Sequence, residues 1–233
     1  MTEPKLNTAI IPAAGIGGRM HADRAKQMLE LGGVPVLVHT LQRLQDCDAV
    51  HQIILVLQPN LTADALGLVS RYNLTKVARV VGGGPERQDS VYRGLQVVRE
   101  ENAGIIIVHD AVRPFVRPDE ICSVIDRASS TGAALMALAA TDTIKQVKSG
   151  RVARTLDRRR IYYAQTPQAF RYSLIRDAFE RAYADGFMGT DESQLVERLG
   201  HRVSVVEGSP INIKITRPFD LRLAEAIQAE FFD

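Results

Sequence analysis

Six short apolar runs, separated by stretches with helical periodicity, limit this chain to very few folds. The runs cover residues 9–11, 53–57, 77–81, 105–109, 135–139 and 203–206. Between them the spacing predicts helices over 36–44, 64–72, 87–100, 118–129, 174–184, 192–199 and 219–229. Leu37, Leu41 and Leu44 fall on one face of the first of these, and Val91, Leu95 and Val98 on one face of the third. Pro118 followed by Asp119 and Glu120 makes a favourable helix start. Strands alternating with helices predict an α/β fold: a mostly parallel sheet covered by helices on both faces, a three-layer αβα arrangement. Ligands in such folds sit beyond the carboxyl ends of the strands, near a topological switch point. Three loops fall there: 15–19, 82–84 and 110–113.

The length of 233 residues suits a single α/β domain over 1–233, with no repeat, linker or low-complexity tract. A chain of this size buries roughly 70–75% of its unfolded surface, so it needs neither disulfides nor a structural metal. A net charge of +2 with 24% charged residues excludes a general nucleic-acid binder, which would concentrate basic residues. Cys47 and Cys122, far apart in helix-like segments, read as reduced thiols of a cytoplasmic protein. Met1 to Asn7 lacks the pattern of a secretory signal, and the longest apolar stretch, 133–140, is too short to span a bilayer. The five histidines show no zinc-type pairing.

The first apolar run enters the loop Pro12-Ala13-Ala14-Gly15-Ile16-Gly17-Gly18-Arg19, with Lys26 shortly after. Small residues leave backbone N–H groups bare, and two cations beside them favour a polyphosphate. The dinucleotide fingerprint G-x-G-x-x-G fails at Met20, and no acid closes the next strand, so a dehydrogenase is disfavoured. No Gly-Lys-Ser/Thr of a Walker loop occurs. The alternative is a plain strand-to-helix turn.

Other strand-end loops carry polar groups. Gly82-Gly83-Gly84 leads to Ser90, whose hydroxyl is predicted to be free for a base edge; the alternative is a simple glycine turn. His109-Asp110-Ala111-Val112-Arg113 offers a layout for Mg²⁺ and hydroxyl contacts, or a local Asp110–Arg113 ion pair sealing the strand end. Arg158, Arg159 and Arg160 form a basic cluster in which one arginine could grip a phosphate bidentately. Thr166 precedes a proline and is held extended. Thr190-Asp191-Glu192 reads as a helix cap. Lys214 lies in a short alternating run, 212–216, where an outward-facing strand lysine is the alternative to a site residue. Residues 142–156 break the α/β alternation with two β-like runs around Lys148-Ser149-Gly150. This is either an arm, at about 141–161, covered by a partner subunit, or a hairpin folded on its own domain.

Taken together, P-A-A-G-x-G-x-R-M with a following K-Q, G-G-x-x-R, H-D-A-V-R-P, D-T-I-K, D-R with T-P-Q, T-D-E and E-G-x-x-x-N-I-K-I-T resemble one family in type and order. It is the 2-C-methyl-D-erythritol 4-phosphate cytidylyltransferase family of the non-mevalonate isoprenoid pathway. The resemblance implies a Rossmann-like nucleotidyltransferase fold, CTP and a polyol phosphate as substrates, Mg²⁺ or another divalent cation as cofactor, and a cytoplasmic homodimer joined through β-arms. It implies that Arg19 and Lys26 stabilise the transition state on the CTP phosphates. Arg158, supplied by the neighbouring subunit, and Lys214 would position the polyol phosphate, with Thr143, Asp110, Arg113, Thr166 and Thr190 at further substrate-side positions. Ala13, Ala14, Gly15, Gly83, Gly84, Ser90 and Ala111 would form the cytidine pocket. No direct metal ligand is assigned; Mg²⁺ would ride on the nucleotide phosphates, with Asp110 the one candidate. The chain departs from the pattern at Ala25, where proline is common before the lysine, and in its run of three arginines. A ribitol 5-phosphate cytidylyltransferase and a non-catalytic nucleotide-binding protein of the same fold are the alternatives.

Overall fold

The computed structural model describes residues 4–15 and 26–232, apart from the side chain of Lys26. The chain runs β1 (Leu6–Pro12), β2 (Glu30–Leu31), β3 (Val34–Pro35), α1 (Val36–Gln45), β4 (Gln52–Leu57), α2 (Thr62–Arg71), β5 (Val77–Gly82) and α3 (Arg87–Gln96). It continues through β6 (Ala103–Val108), α4 (Pro118–Thr131), β7 (Ala133–Ala139), β8 (Lys145–Lys148), β9 (Arg151–Thr155), β10 (Tyr162–Arg171), α5 (Tyr172–Ala184), α6 (Glu192–Arg198), β11 (Ser204–Glu207) and α7 (Pro218–Phe231). Seven strands form the main sheet in the order β11-β7-β10-β6-β1-β4-β5.

β1 pairs in parallel with both β4 and β6, which places it in the interior of a doubly wound sheet. Its side chains divide between the two faces, as pleating requires. Ala9 and Ile11 pack with Leu37, Leu41 and Leu44 of α1 and with Ile121, Val124 and Ile125 of α4. Ile10 faces the other way, into a core with Val91 and Leu95 of α3 and Ile175 and Phe179 of α5. A third cluster joins Leu31, Val112, Phe115 and Ile215 to Ala224 and Ile227 of α7. It anchors the backbone beneath the loop that follows β6.

The predicted strands and helices all form, with three differences of substance. The helix from residue 87 ends at Gln96 rather than near 100, where Glu100–Asn102 forms a separate short turn. Residues 212–216 are not a strand; the segment is an extended loop tied to the fold by Ile215 N–H, which donates to the Val112 carbonyl at 2.9 Å. β10 is absent from the sequence reading. It is a ten-residue strand antiparallel to β6 and β7, buried from Gln165 to Phe170. Pro167 argues against a central strand. It is tolerated because the β10–β7 register shifts between Ala164 and Gln168.

β8 and β9 pair only with each other, around a turn in which Ser149 and Gly150 have φ of 51° and 75°. Positive φ at both central residues suits the twist of a two-residue hairpin. Every residue of both strands is exposed. The thiols of Cys47 and Cys122 lie 3.4 Å apart and unbridged.

Candidate active site

β1, β5 and β6 all end at one edge of the sheet, and their following loops enclose a cleft of about 220 Å³. Pro12, Ala13, Ala14 and Gly15 line it from β1, Gly84 and Ser90 from beyond β5, Asp110 and Ala111 from beyond β6, and Lys214 from the loop before α7. β1 has β4 on one side and β6 on the other, so this is the topological switch point of the sheet. Two loops touch closely across it: a Cβ on Gly83 would run into the side chain of Ala14. Ser90 is not free as expected. Its hydroxyl donates to the Glu86 carbonyl and accepts from Gly84 N–H, both at 3.1 Å, so its immediate work is to hold the second glycine loop.

Asp110 is the centre of a buried charge cluster. Arg87 Nε approaches Oδ1 at 3.4 Å, while Arg113 Nε and Lys214 Nζ approach Oδ2 at 3.3 and 2.9 Å. Arg87 also meets the Glu192 carboxylate at 2.7 and 3.0 Å. Three cations face two carboxylates, which leaves one positive charge at the cleft wall. Burial opposes ionisation of Asp110, but the charges of Arg87, Lys214 and Arg113 outweigh it and hold the carboxyl well below the usual range. Burial also opposes the Arg87 charge, and Glu192 and Asp110 overcome it. For Arg113, burial wins and the pKa falls.

The backbone behind the cluster is fixed by a buried relay. Asp110 N–H donates to Thr166 Oγ1 at 3.0 Å, and the Thr166 hydroxyl donates to His109 Nδ1 at 3.0 Å. The other ring nitrogen, Nε2, faces the Arg113 carbonyl at 3.1 Å and therefore carries the proton. Complete burial pulls the His109 pKa down to about 4, so the ring is neutral at pH 7. Arg113 Nη1 donates to the Asn212 carbonyl at 2.7 Å, which ties the loop carrying Lys214 to the same cluster.

The structure thus brings together Asp110, Arg113, Thr166 and Lys214, beside Ala13, Ala14, Gly15, Gly84, Ser90 and Ala111. Thr143 and Arg158 are exposed on the arm and do not line this cleft; Arg158 donates to the Thr141 carbonyl. Thr190 borders a separate groove with Tyr162, Ala164 and Asp191. Arg19 and the side chain of Lys26 lie outside the described residues. The sequence reading missed Arg87, Glu192 and His109 as members of the cluster. Arg87 and Glu192 stand inside two of the quoted motifs, G-G-x-x-R and T-D-E, and Glu192 is 1% exposed. Their place in those motifs was the available signal; the burial that joins them shows only in the fold. Asp191 does cap α6, accepting from Gln194 N–H at 3.0 Å, so the capping role and the site role belong to adjacent residues.

The 2-C-methyl-D-erythritol 4-phosphate cytidylyltransferase family model matches residues 7–230. The chain belongs to this family. A protein of that name from Syntrophus aciditrophicus is 48% identical over 226 residues, covering 96% of each chain, and one from Acidobacterium capsulatum is 47% identical over 224 residues, covering 92% of this chain and 94% of the other. The crystal structure of 4-diphosphocytidyl-2C-methyl-D-erythritol synthase from Anaerococcus prevotii superposes with a TM-score of 0.86 at 31% identity over 98% of both chains. That of the cytidylyltransferase from Thermus thermophilus gives 0.80 at 32% identity over 96% of this chain and 99% of the other. The α/β architecture expected from the sequence is therefore a nucleotidyltransferase fold. Among the described residues no helix is long and apolar enough to cross a membrane.

Proposed function

We propose that this chain transfers a cytidylyl group from CTP to 2-C-methyl-D-erythritol 4-phosphate, giving 4-diphosphocytidyl-2-C-methyl-D-erythritol and pyrophosphate. The observation that carries the reading is the meeting of the small-residue loop Ala13–Gly15 with the cations around Asp110, in one cleft at the switch point. A phosphate oxygen of the polyol phosphate attacks the α-phosphorus of CTP, and the bond to the bridging oxygen of pyrophosphate breaks. The attacking oxygen is already anionic at neutral pH, so no general base is required. His109 is buried and neutral, and its two ring nitrogens are already engaged, which suits a structural part. The barrier is electrostatic: two anions must meet. Catalysis then comes from positioning and from cations placed before the reaction.

Arg87 and Lys214 both line the cleft, with side chains 32% and 37% exposed; Arg87 is also paired with Glu192, and in this reading Lys214 meets the polyol phosphate. Arg19 and Lys26 neutralise charge around the α-phosphate and the leaving pyrophosphate. Both carboxylate oxygens of Asp110 are engaged by protein cations, so Mg²⁺ belongs on the triphosphate rather than on Asp110. Bound there, it would screen the phosphate charges while Lys214 orients the acceptor.

The arm fits a homodimer. Val147 and Val152 are 58% and 62% exposed, and Tyr162 and Tyr163 at its foot are each 50% exposed. Among the described residues, no strand pairs with either outer edge of the hairpin. In the dimer, Arg158 and Thr143 reach the partner's cleft. A cytoplasmic location goes with a nucleoside triphosphate donor and with two unbridged cysteines.

The test incubates the full chain with CTP, Mg²⁺ and either methylerythritol phosphate or ribitol 5-phosphate, and identifies products by mass spectrometry. Methylerythritol product with pyrophosphate is the expected result. Turnover of ribitol phosphate alone would move the assignment to the sister activity, and nucleotide binding without pyrophosphate release would make the chain a binding protein.

A further inference from the structure

Two glutamines with no assigned role, Gln27 in the K-Q step that follows the first motif and Gln58 beyond the end of β4, grip consecutive carbonyls of the first loop. Gln27 Nε2 donates to the Ala13 carbonyl at 2.5 Å, and Gln58 Nε2 donates to the Ala14 carbonyl at 2.9 Å. They come from different places in the chain. Gln27 sits in the turn Lys26–Met28 and is 1% exposed; Gln58 follows the end of β4. The Ala13 N–H is also taken, by the Val56 carbonyl at 2.7 Å. Among the described residues, the N–H groups of Ala14 and Gly15 have no protein acceptor. A trans peptide holds its C=O and the following N–H in one plane, pointing in opposite directions. Fixing the Ala13 carbonyl therefore fixes the Ala14 N–H, and fixing the Ala14 carbonyl fixes the Gly15 N–H.

We propose that Gln27 and Gln58 are positioning residues that set two consecutive backbone donors, Ala14 N–H and Gly15 N–H, for the nucleotide in the cleft. The inference rests on the proposed function only for the identity of that ligand as CTP. A bare loop of small residues would otherwise sample both orientations of each peptide plane, with either C=O or N–H toward the ligand. A carbonyl facing a nucleotide phosphate would repel it. Two amide side chains remove that choice without placing a side chain in the cleft, which is why the loop itself can consist of alanine and glycine.

Calorimetry with CTP and Mg²⁺, and steady-state kinetics, test this on Gln27→Leu and Gln58→Leu. The Kd and the KM for CTP should each rise about 5- to 20-fold, as for the loss of preorganised donors, while the KM for the polyol phosphate stays within twofold. Gln58→Leu, which is part-buried, serves if Gln27→Leu does not fold. Gln58→Glu keeps the shape but replaces the donor with an anion facing a carbonyl, and should weaken CTP at least as much as Gln58→Leu. Unchanged CTP affinity in a folded variant, or equal increases in both KM values, would overturn the proposal. A wild-type chain that binds CTP yet forms no product would defeat the proposed function and leave the calorimetric result to stand alone; one that binds no CTP would defeat both.

Discussion

The Asp110 cluster and the β8–β9 arm are opposites. In the cluster every charged group has a partner inside the chain, and a relay through Thr166 and His109 fixes the backbone behind it. In the arm every strand residue is exposed, and among the described residues Arg158 donates to the Thr141 carbonyl of the same arm. One region is satisfied within the chain, and the other leaves its faces open to solvent. The cost of ordering charges is met at folding in the first case; under the proposed function it is met at association or substrate binding in the second. Substitutions in the cluster should therefore damage stability and activity together, whereas those in the arm should damage substrate use alone.

The largest effect expected is from Asp110→Ala, which leaves three cations sharing the one carboxylate of Glu192 and takes the partner from Arg113 and Lys214. Urea unfolding should show a loss of about 3–5 kcal/mol, as when one member of a buried pair is removed. A loss under 1 kcal/mol would mean that the cluster is not the rigid half of the site. Next is Lys26→Ala, for which turnover should fall by on the order of 10²-fold with stability unchanged. A rate close to wild type would remove Lys26 from the chemistry.

The third test uses pH. His109 has its pKa lowered from 6.5 to about 4 in the folded chain, so the unfolded chain binds the extra proton between those values. Stability is then full above pH 6.5 and falls as the pH drops toward 4, by on the order of 3 kcal/mol in total. His109→Gln should flatten that slope. Asp110, held below the usual carboxylate range, contributes stability that persists through this window and is lost only at lower pH. The smallest effect is from Arg158→Ala, which should raise the KM for the polyol phosphate about tenfold and leave urea unfolding unchanged. Mixed dimers of Arg19→Ala and Arg158→Ala chains should recover activity if the two residues meet across subunits. No recovery in confirmed mixed dimers would return the site to a single chain.

Most of the parallel sheet was legible because buried parallel strands are continuous apolar runs, as Ile53–Leu57 and the run ending at Val108 are. β10 was not, because its central residues Gln165, Thr166 and Gln168 are polar and Pro167 interrupts them. Their polar groups are matched by Ser209, Asn212, Asp191 and the Asp110 backbone, all distant in sequence. Tertiary partners decide such a strand, and no local pattern reports them. The same reason hid Arg87 and Glu192, which are 105 positions apart and meet only in the fold. Asp110 and Arg113 were legible because they are neighbours on one turn. Lys214 stands at the cleft on a loop, since the apolar residues beside it anchor that segment to α7 rather than to a sheet.

β10 begins at the foot of the arm, where Tyr162 pairs with Ala139, and carries Thr166 behind Asp110 before it ends at Arg171. A slip of one residue in such a strand turns every side chain to the opposite face. Insertions and deletions can therefore accumulate at the hairpin tip, around Ser149 and Gly150, without cost to the catalytic floor. Between 162 and 171 the chain has a fixed length, and any lineage that reshapes the arm must do so from the tip inward.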